Sequence, residues 1–307
     1  MIASLVPGGS GPISTAPAGT AGKAFNIDAE HFRANFAQKP HLVAHRLVGH
    51  PLFQLPRLME LARRLPEKHV EYNSGNIGIT TDWDKTPRTG LSIEESIRRV
   101  EECCSWMFLK RVEQDPEYKA LLDQVLDDVQ AHSEAVDPGM YDRAAAIFIS
   151  SPNAVTPYHM DQEHNYLSQI RGHKTIKVYP GREVLTQDEL ENHVSRKSYD
   201  RNLKFRDEFE AKATVFDLQP GYALYFPPFD PHYVVNSNEV SVSFSCGFFT
   251  PRQDRRWGIH RVNRRLRNWG LTPTPYGESP TRDAVKCGLY RFGRRVGKLL
   301  GRGSQDE

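Results

Sequence analysis

Cysteine is scarce in this chain of 307 residues: there are four, two adjacent (Cys103, Cys104) and two isolated (Cys246, Cys287). That excludes a disulfide framework and a CxxC-type zinc site, and it favours a reducing, cytoplasmic setting. Long apolar runs are missing too. No stretch approaches the roughly 18 residues that a membrane span requires, and the N-terminus lacks the basic start and apolar block of a secretion signal. A soluble, unexported protein is expected. Overall charge bias is absent, with 40 Lys/Arg against 38 Asp/Glu, but local bias is not. Residues 251–307 carry 14 Lys/Arg against 5 Asp/Glu, nine positive charges in excess, so the first 250 residues are net negative by seven. There is no internal repeat.

What is present divides the chain into four stretches. Residues 1–24 are rich in Gly, Ala, Pro, Ser and Thr with little to bury, and read as a flexible leader. Residues 25–104 read as an N-terminal helical cap with some strand. Leu55 to Ala62 is apolar-periodic, and Ser92-Ile93-Glu94-Glu95 makes a capping box for a helix running towards Cys103-Cys104, its expected buried end. Asp115-Pro116 opens another helix, with Leu122, Val125, Leu126 and Val129 on one face. Across residues 105–250 the pattern turns to short β-rich runs bounded by Pro, Gly and Asn: Trp106–Lys110, Ala145–Ser150, Lys174–Tyr179, Ala223–Phe226 and Val240–Phe249. Many short strands without alternating helices predict a mainly β sandwich or barrel with helical additions. Residues 251–307 read as a basic C-terminal helical tail. Behind a Ser279-Pro280 start, Val285, Leu289, Phe292, Val296 and Leu299 recur at helical spacing beside Arg282, Lys286, Arg291, Arg294, Arg295 and Lys298.

One constellation carries chemistry. His159-Met160-Asp161 follows a turn-prone segment, and alternate residues of an extended stretch share a side, so an imidazole and a carboxylate can meet one ion. His232 lies beyond Pro227-Pro228-Phe229-Asp230-Pro231, after another strand. Two histidines and one carboxylate on one face suit non-haem Fe(II) and leave positions open for oxygen chemistry. Three further histidines, His164, His173 and His193, lack an acidic partner at comparable spacing and are expected at the surface or near substrate. Tyr158, Gln162 and Glu163 flank the ligands and are candidates to face substrate.

The segments Asn153–Asp161, Asn165–Lys174, Tyr179-Pro180 and Leu218–Pro228 with His232 together resemble the JmjC/cupin-type oxygenases, of the factor-inhibiting-HIF asparaginyl hydroxylase kind and its bacterial cupin-like relatives. The resemblance covers about 100 residues and fades in the first 100 and the last 50. It implies a double-stranded β-helix (cupin/jelly-roll, JmjC-like), iron held by His159, Asp161 and His232, and 2-oxoglutarate and dioxygen as cosubstrates. It further implies Lys174, fifteen residues after His159, as the cation for the far carboxylate of 2-oxoglutarate, with Thr156 and Asn165 at cosubstrate-contacting positions. A buried dicarboxylate needs a paired cation, and Tyr233 to Thr250 offers no Lys or Arg as a substitute. Lys177, three residues on, would face the other side of the strand. Where the family has an asparagine, this chain has Gly247, on a strand whose Ser241, Ser243 and Ser245 alternate with Val242, Phe244 and Cys246.

The activity so implied is Fe(II)/2-oxoglutarate-dependent hydroxylation of a peptide or protein side chain, releasing succinate and CO2. The alternatives are a small-molecule or natural-product hydroxylase and a non-enzymatic cupin-like regulatory or binding protein. For the basic tail the expectation is packing or a homodimer through C-terminal helices, ahead of nucleic acid or an anionic membrane.

Overall fold

The computed structural model describes residues 22–82, 85–195 and 203–299, so the expected leader lies almost wholly outside the described residues. The strands, in chain order, are β1 (Phe25–Asn26), β2 (His41–His45), β3 (Val70–Ser74), β4 (Ser105–Lys110), β5 (Tyr141–Ser150), β6 (Val155–His159), β7 (His164–Arg171), β8 (Lys174–Val178), β9 (Thr214–Leu218), β10 (Tyr222–Phe226), β11 (His232–Asn236) and β12 (Ser241–Phe249). They form two antiparallel sheets. The larger runs β1-β2-β10-β7-β12-β5-β4-β3 and the smaller β6-β11-β8-β9. This is the mainly β arrangement that the short, turn-bounded strands predicted, and it is consistent with the jelly-roll that the resemblance implied. Strands from residues 25–104 occupy both edges of the larger sheet.

The helices are α1 (Ala29–Asn35), α2 (Leu55–Arg64), α3 (Ile93–Arg98), α4 (Pro116–Ser133), α5 (Gly181–Val184), α6 (Gln187–Ser195), α7 (Pro251–Asn268) and α8 (Pro280–Leu299). The expected capping box is present at α3, where Ser92 and Glu95 satisfy each other's backbone N–H. Asp115 caps α4 by accepting from the Glu117 N–H, with Pro116 in the first turn. Cys103 and Cys104 correct an expectation. They fall in the turn after α3, Cys103 half-buried and Cys104 exposed with φ +47°, so neither forms a buried helix end.

The two faces of β12 explain where the core sits. Val242, Phe244, Cys246 and Phe248 point into the largest apolar cluster, shared with Phe32 of α1 and its C-cap Phe36, Leu58 and Leu61 of α2, and Leu122, Val125 and Val129 of α4. The helices thus cover one face of the larger sheet. A second cluster, Leu167, Ile176, Val178, Leu218, Leu224, Phe226 and Val234, draws on both sheets and fills one end of the space between them. The other end stays open as a cavity. No helix of the described residues is long and apolar enough to cross a membrane.

Candidate active site

His159 is the last residue of β6 and His232 the first of β11, and the two are cross-strand partners. Adjacent positions on neighbouring strands bring side chains close, and the ring centroids lie 4.3 Å apart. Asp161 sits just past the strand end. There its carbonyl accepts the Phe229 N–H at 2.8 Å, tying it to the loop that delivers His232. That loop is locked from behind: a Cβ at Gly181 would lie 2.1 Å from the Phe229 carbonyl oxygen, so only glycine permits the approach, and the Gly181 N–H donates to Asp230 Oδ1 at 2.9 Å.

Both imidazoles are oriented the same way. His159 Nδ1 lies 2.7 Å from the Pro157 carbonyl oxygen and His232 Nδ1 lies 3.1 Å from that of Asp230. A carbonyl only accepts, so each Nδ1 carries the proton and each Nε2 the lone pair. The Nε2 atoms stand 4.0 and 3.9 Å from the two carboxylate oxygens of Asp161. Potential ligand atoms of all three residues fall within 4.8 Å of one another. Phe226 stacks on the His232 ring at 4.3 Å between centroids. Burial holds the His232 pKa below its ordinary 6.5, despite the opposing pull of Asp161 and the Asp230 carbonyl. His232 is therefore neutral at pH 7, as a metal ligand must be.

The triad lines a cavity of about 350 Å³ whose wall includes Lys174, Thr156, Asn165, Ser245 and Gly247, with Phe148, Leu167, Phe226 and Val234 as apolar lining. Lys174 begins β8 and is 3% exposed; Lys177 lies on the opposite face, paired with Glu210 at 2.7 Å. No carboxylate among the described residues pairs with Lys174. Burial alone pulls its pKa from 10.5 to about 7. Thr156 Oγ1 accepts from Trp106 Nε1 at 2.9 Å. An indole N–H only donates, so the Thr156 hydroxyl keeps its own proton to give elsewhere.

The remaining sequence candidates are sorted by the fold. Asn165 Nδ2 donates to Asp161 Oδ2 at 2.9 Å, and Asn165 Oδ1 accepts from Ser245 at 2.7 Å. Glu163 lines the cavity, whereas Tyr158 is buried away from it with Tyr179 and Phe209, and Gln162 is buried. Of the extra histidines only His173 is at the surface, beside Glu239. His164 and His193 are buried, and His164 bridges Tyr225 and Asp137 at 2.6 and 3.3 Å. Trp106 was not singled out as a site residue, because it lies fifty positions from Thr156 and no local pattern connects them. Ser245 was visible only as part of a small, polar strand face.

Comparison with known proteins agrees with this architecture. The family model described as a cupin-like domain matches residues 84–254, more than half of the chain. The chain belongs to the cupin-like domain family. Among curated proteins, no sequence matches. Solved structures similar to this cupin-like protein include Escherichia coli ycfD, at 17% identity and TM-score 0.49, covering 92% of this chain and 70% of that one. A structure of the E. coli ribosomal oxygenase YcfD with cobalt and 2-oxoglutarate aligns at 16% identity and TM-score 0.46, covering 92% and 69%. One with cobalt and succinic acid aligns at 14% and 0.44, with the same coverage.

Proposed function

We propose that this cupin-like protein is an Fe(II)- and 2-oxoglutarate-dependent oxygenase that hydroxylates a peptide or protein side chain. One observation supports this above others: a two-histidine, one-carboxylate cluster and a buried lysine without a counter-ion among the described residues share a single cavity. The donor set fits Fe(II), whose facial triad leaves positions open. A buried ammonium that no carboxylate of the described residues compensates fits an anion, since a buried charge is stable only when paired. His159, Asp161 and His232 would hold the metal, while Lys174 and the Thr156 hydroxyl would hold the far carboxylate of 2-oxoglutarate. When bound, the pair supplies dioxygen-dependent oxidation, with 2-oxoglutarate leaving as succinate and CO2.

The chain's own residues prepare the site. The Pro157 and Asp230 carbonyls fix the imidazole tautomers, so no ring must turn when a ligand arrives. Phe148, Leu167, Phe226 and Val234 keep water from the cavity wall. His69, Lys110, Arg111, Asp142 and Glu163 also line the cavity and supply polar contacts for a peptide. Four unpaired thiols accord with the cytoplasmic location we infer.

The test is direct. Anaerobic protein given Fe(II) and 2-oxoglutarate should develop a weak visible charge-transfer band, and candidate peptides should stimulate succinate release. His159→Ala and Asp161→Ala should abolish both. Tight iron binding with no band overturns the oxygenase reading, and stimulation by metabolites but not peptides overturns the substrate class.

The tail enters the same proposal. Val285, Leu289 and Phe292 are 59%, 57% and 67% exposed on α8, while Cys287 and Lys286 are buried on its inner side. A second copy is the occupant we assign to this stripe, its net negative body complementing the basic helix. Light scattering should show a dimer that Leu289→Glu dissociates. A monomer at every concentration rules it out.

A further inference from the structure

We propose that Ser245 and Asn165 form a positioning chain for the carboxylate of Asp161, so that Asn165 orients the metal ligand. The inference rests on the metal reading above. It starts from hydrogen-bond polarity. Asn165 Nδ2 donates to Asp161 Oδ2 at 2.9 Å and Asn165 Oδ1 accepts the Ser245 hydroxyl at 2.7 Å. A flipped amide would set its oxygen against the carboxylate, two acceptors face to face, so the orientation follows from chemistry. The sheet places the three residues. Asn165 on β7 is opposite Gly247 on β12, and Ser245, two residues back on the same face, reaches it diagonally. Gly247 contributes no side chain that could compete for the amide. Ser245 and Asn165 are 8% and 9% exposed, so water competes little for either bond.

The consequence concerns rotation. The last torsion of an aspartate is broad and nearly two-fold, so an unheld carboxylate samples orientations that it must give up on binding an ion. Asp161 gives them up on folding. Its Oδ2, 3.9 Å from His232 Nε2, is pinned by the amide, and its Oδ1 then faces His159 Nε2 at 4.0 Å. Ser245 is thus a positioning residue acting through Asn165. Partners of metal ligands at this remove change affinity by about 10- to 100-fold.

The experiment uses Co(II) alone on the metal-free full chain, with affinity from competition calorimetry and the d–d spectrum as a second readout. Ser245→Ala and Asn165→Ala should each weaken Co(II) by about tenfold or more and shift the spectrum, with little change in metal-free thermal stability. The double variant should lose no more than Asn165→Ala alone, because both act along one path. Ser245→Thr, which keeps the hydroxyl, should recover the affinity. If Ser245→Ala fails to fold, Ser245→Cys, of similar size but a poor donor, replaces it. A Co(II) affinity within twofold of wild type in the serine variant, or additive losses in the double, overturns the chain. Asp161→Ala separates the two levels: undiminished Co(II) binding there defeats the metal reading itself, and this proposal with it.

Discussion

Lys174 should make the empty protein less stable than it could be, and by an amount that pH controls. Its pKa falls from 10.5 to about 7 on folding, with burial the sole cause. Between those values the unfolded chain holds the proton and the folded chain does not, so stability rises with pH across the window, by about 1.4 kcal/mol per unit. Below pH 7 both states are protonated and the penalty stays at its maximum, about 5 kcal/mol; at pH 7 it is about 4 and at pH 9 about 2. Lys174→Met keeps the length and flexibility of the side chain and removes the charge. In urea unfolding of protein free of metal and 2-oxoglutarate, the methionine variant should be the more stable. Its advantage should be about 2 kcal/mol larger at pH 7 than at pH 9, groups common to both proteins cancelling. The same variant should lose the stabilisation that 2-oxoglutarate gives the wild type. A variant no more stable at pH 7, or an advantage that does not shrink towards pH 9, refutes the uncompensated ammonium.

Binding a dicarboxylate beside Lys174 should restore its proton. Calorimetry of 2-oxoglutarate binding in buffers of different ionisation enthalpy should show uptake of about half a proton at pH 7 and close to one at pH 8, and no uptake would contradict the pairing. Because burial keeps the His232 pKa below 6.5, Co(II) affinity should stay flat from pH 8 to 6.5, and fall only at lower pH, where protonation of the ligand competes. A decline that begins above pH 7 would exclude this assignment of the ligands. Trp106→Phe should preserve the ring contacts with Phe108 and Phe148 but strip Thr156 of its donor. We expect about 1 kcal/mol less stability and a several-fold weaker 2-oxoglutarate affinity, and unchanged cosubstrate binding would remove Thr156 from the site.

The cluster of His159, Asp161 and His232 was legible in the sequence because its geometry is nearly local. His159 and Asp161 are two residues apart at a strand end, and His232 heads the strand that pairs with it. Lys174 was legible through the family resemblance, with the lack of Lys or Arg from Tyr233 to Thr250 pointing the same way. What could not be read is contact between distant positions: Trp106 on Thr156, Asp137 on His164, Ser245 on Asn165. The bounds of α7, expected only as part of a helical tail, could not be read for a different reason. Its buried residues include Gln253, Gly258, His260 and Asn263 as well as Ile259 and Val262, so the apolar period that announces a helix is diluted by polar groups. The strands β1 to β3, of two, five and five residues, were expected only as some strand within the cap, since Asn26, His41, His45, Glu71 and Asn73 dilute their apolar runs.

The two-sidedness of β12 sets a rule for which changes of length the protein can tolerate. The turn at residues 237–240 feeds a strand whose Ser245, Gly247 and Phe249 line the cavity, with Ser241 and Ser243 bonded to Gln169, and whose even positions face the helices. One residue inserted there, with pairing otherwise kept, would exchange the faces. Phe244 and Phe248 would then be driven into the cavity and three serine hydroxyls sealed beneath α1, α2 and α4, so fold and site would be lost together. Two inserted residues would preserve the faces and merely slide the strand. Insertions in this turn should therefore survive in even numbers, and a library of loop lengths selected for folding alone should recover the parity imposed by the cavity.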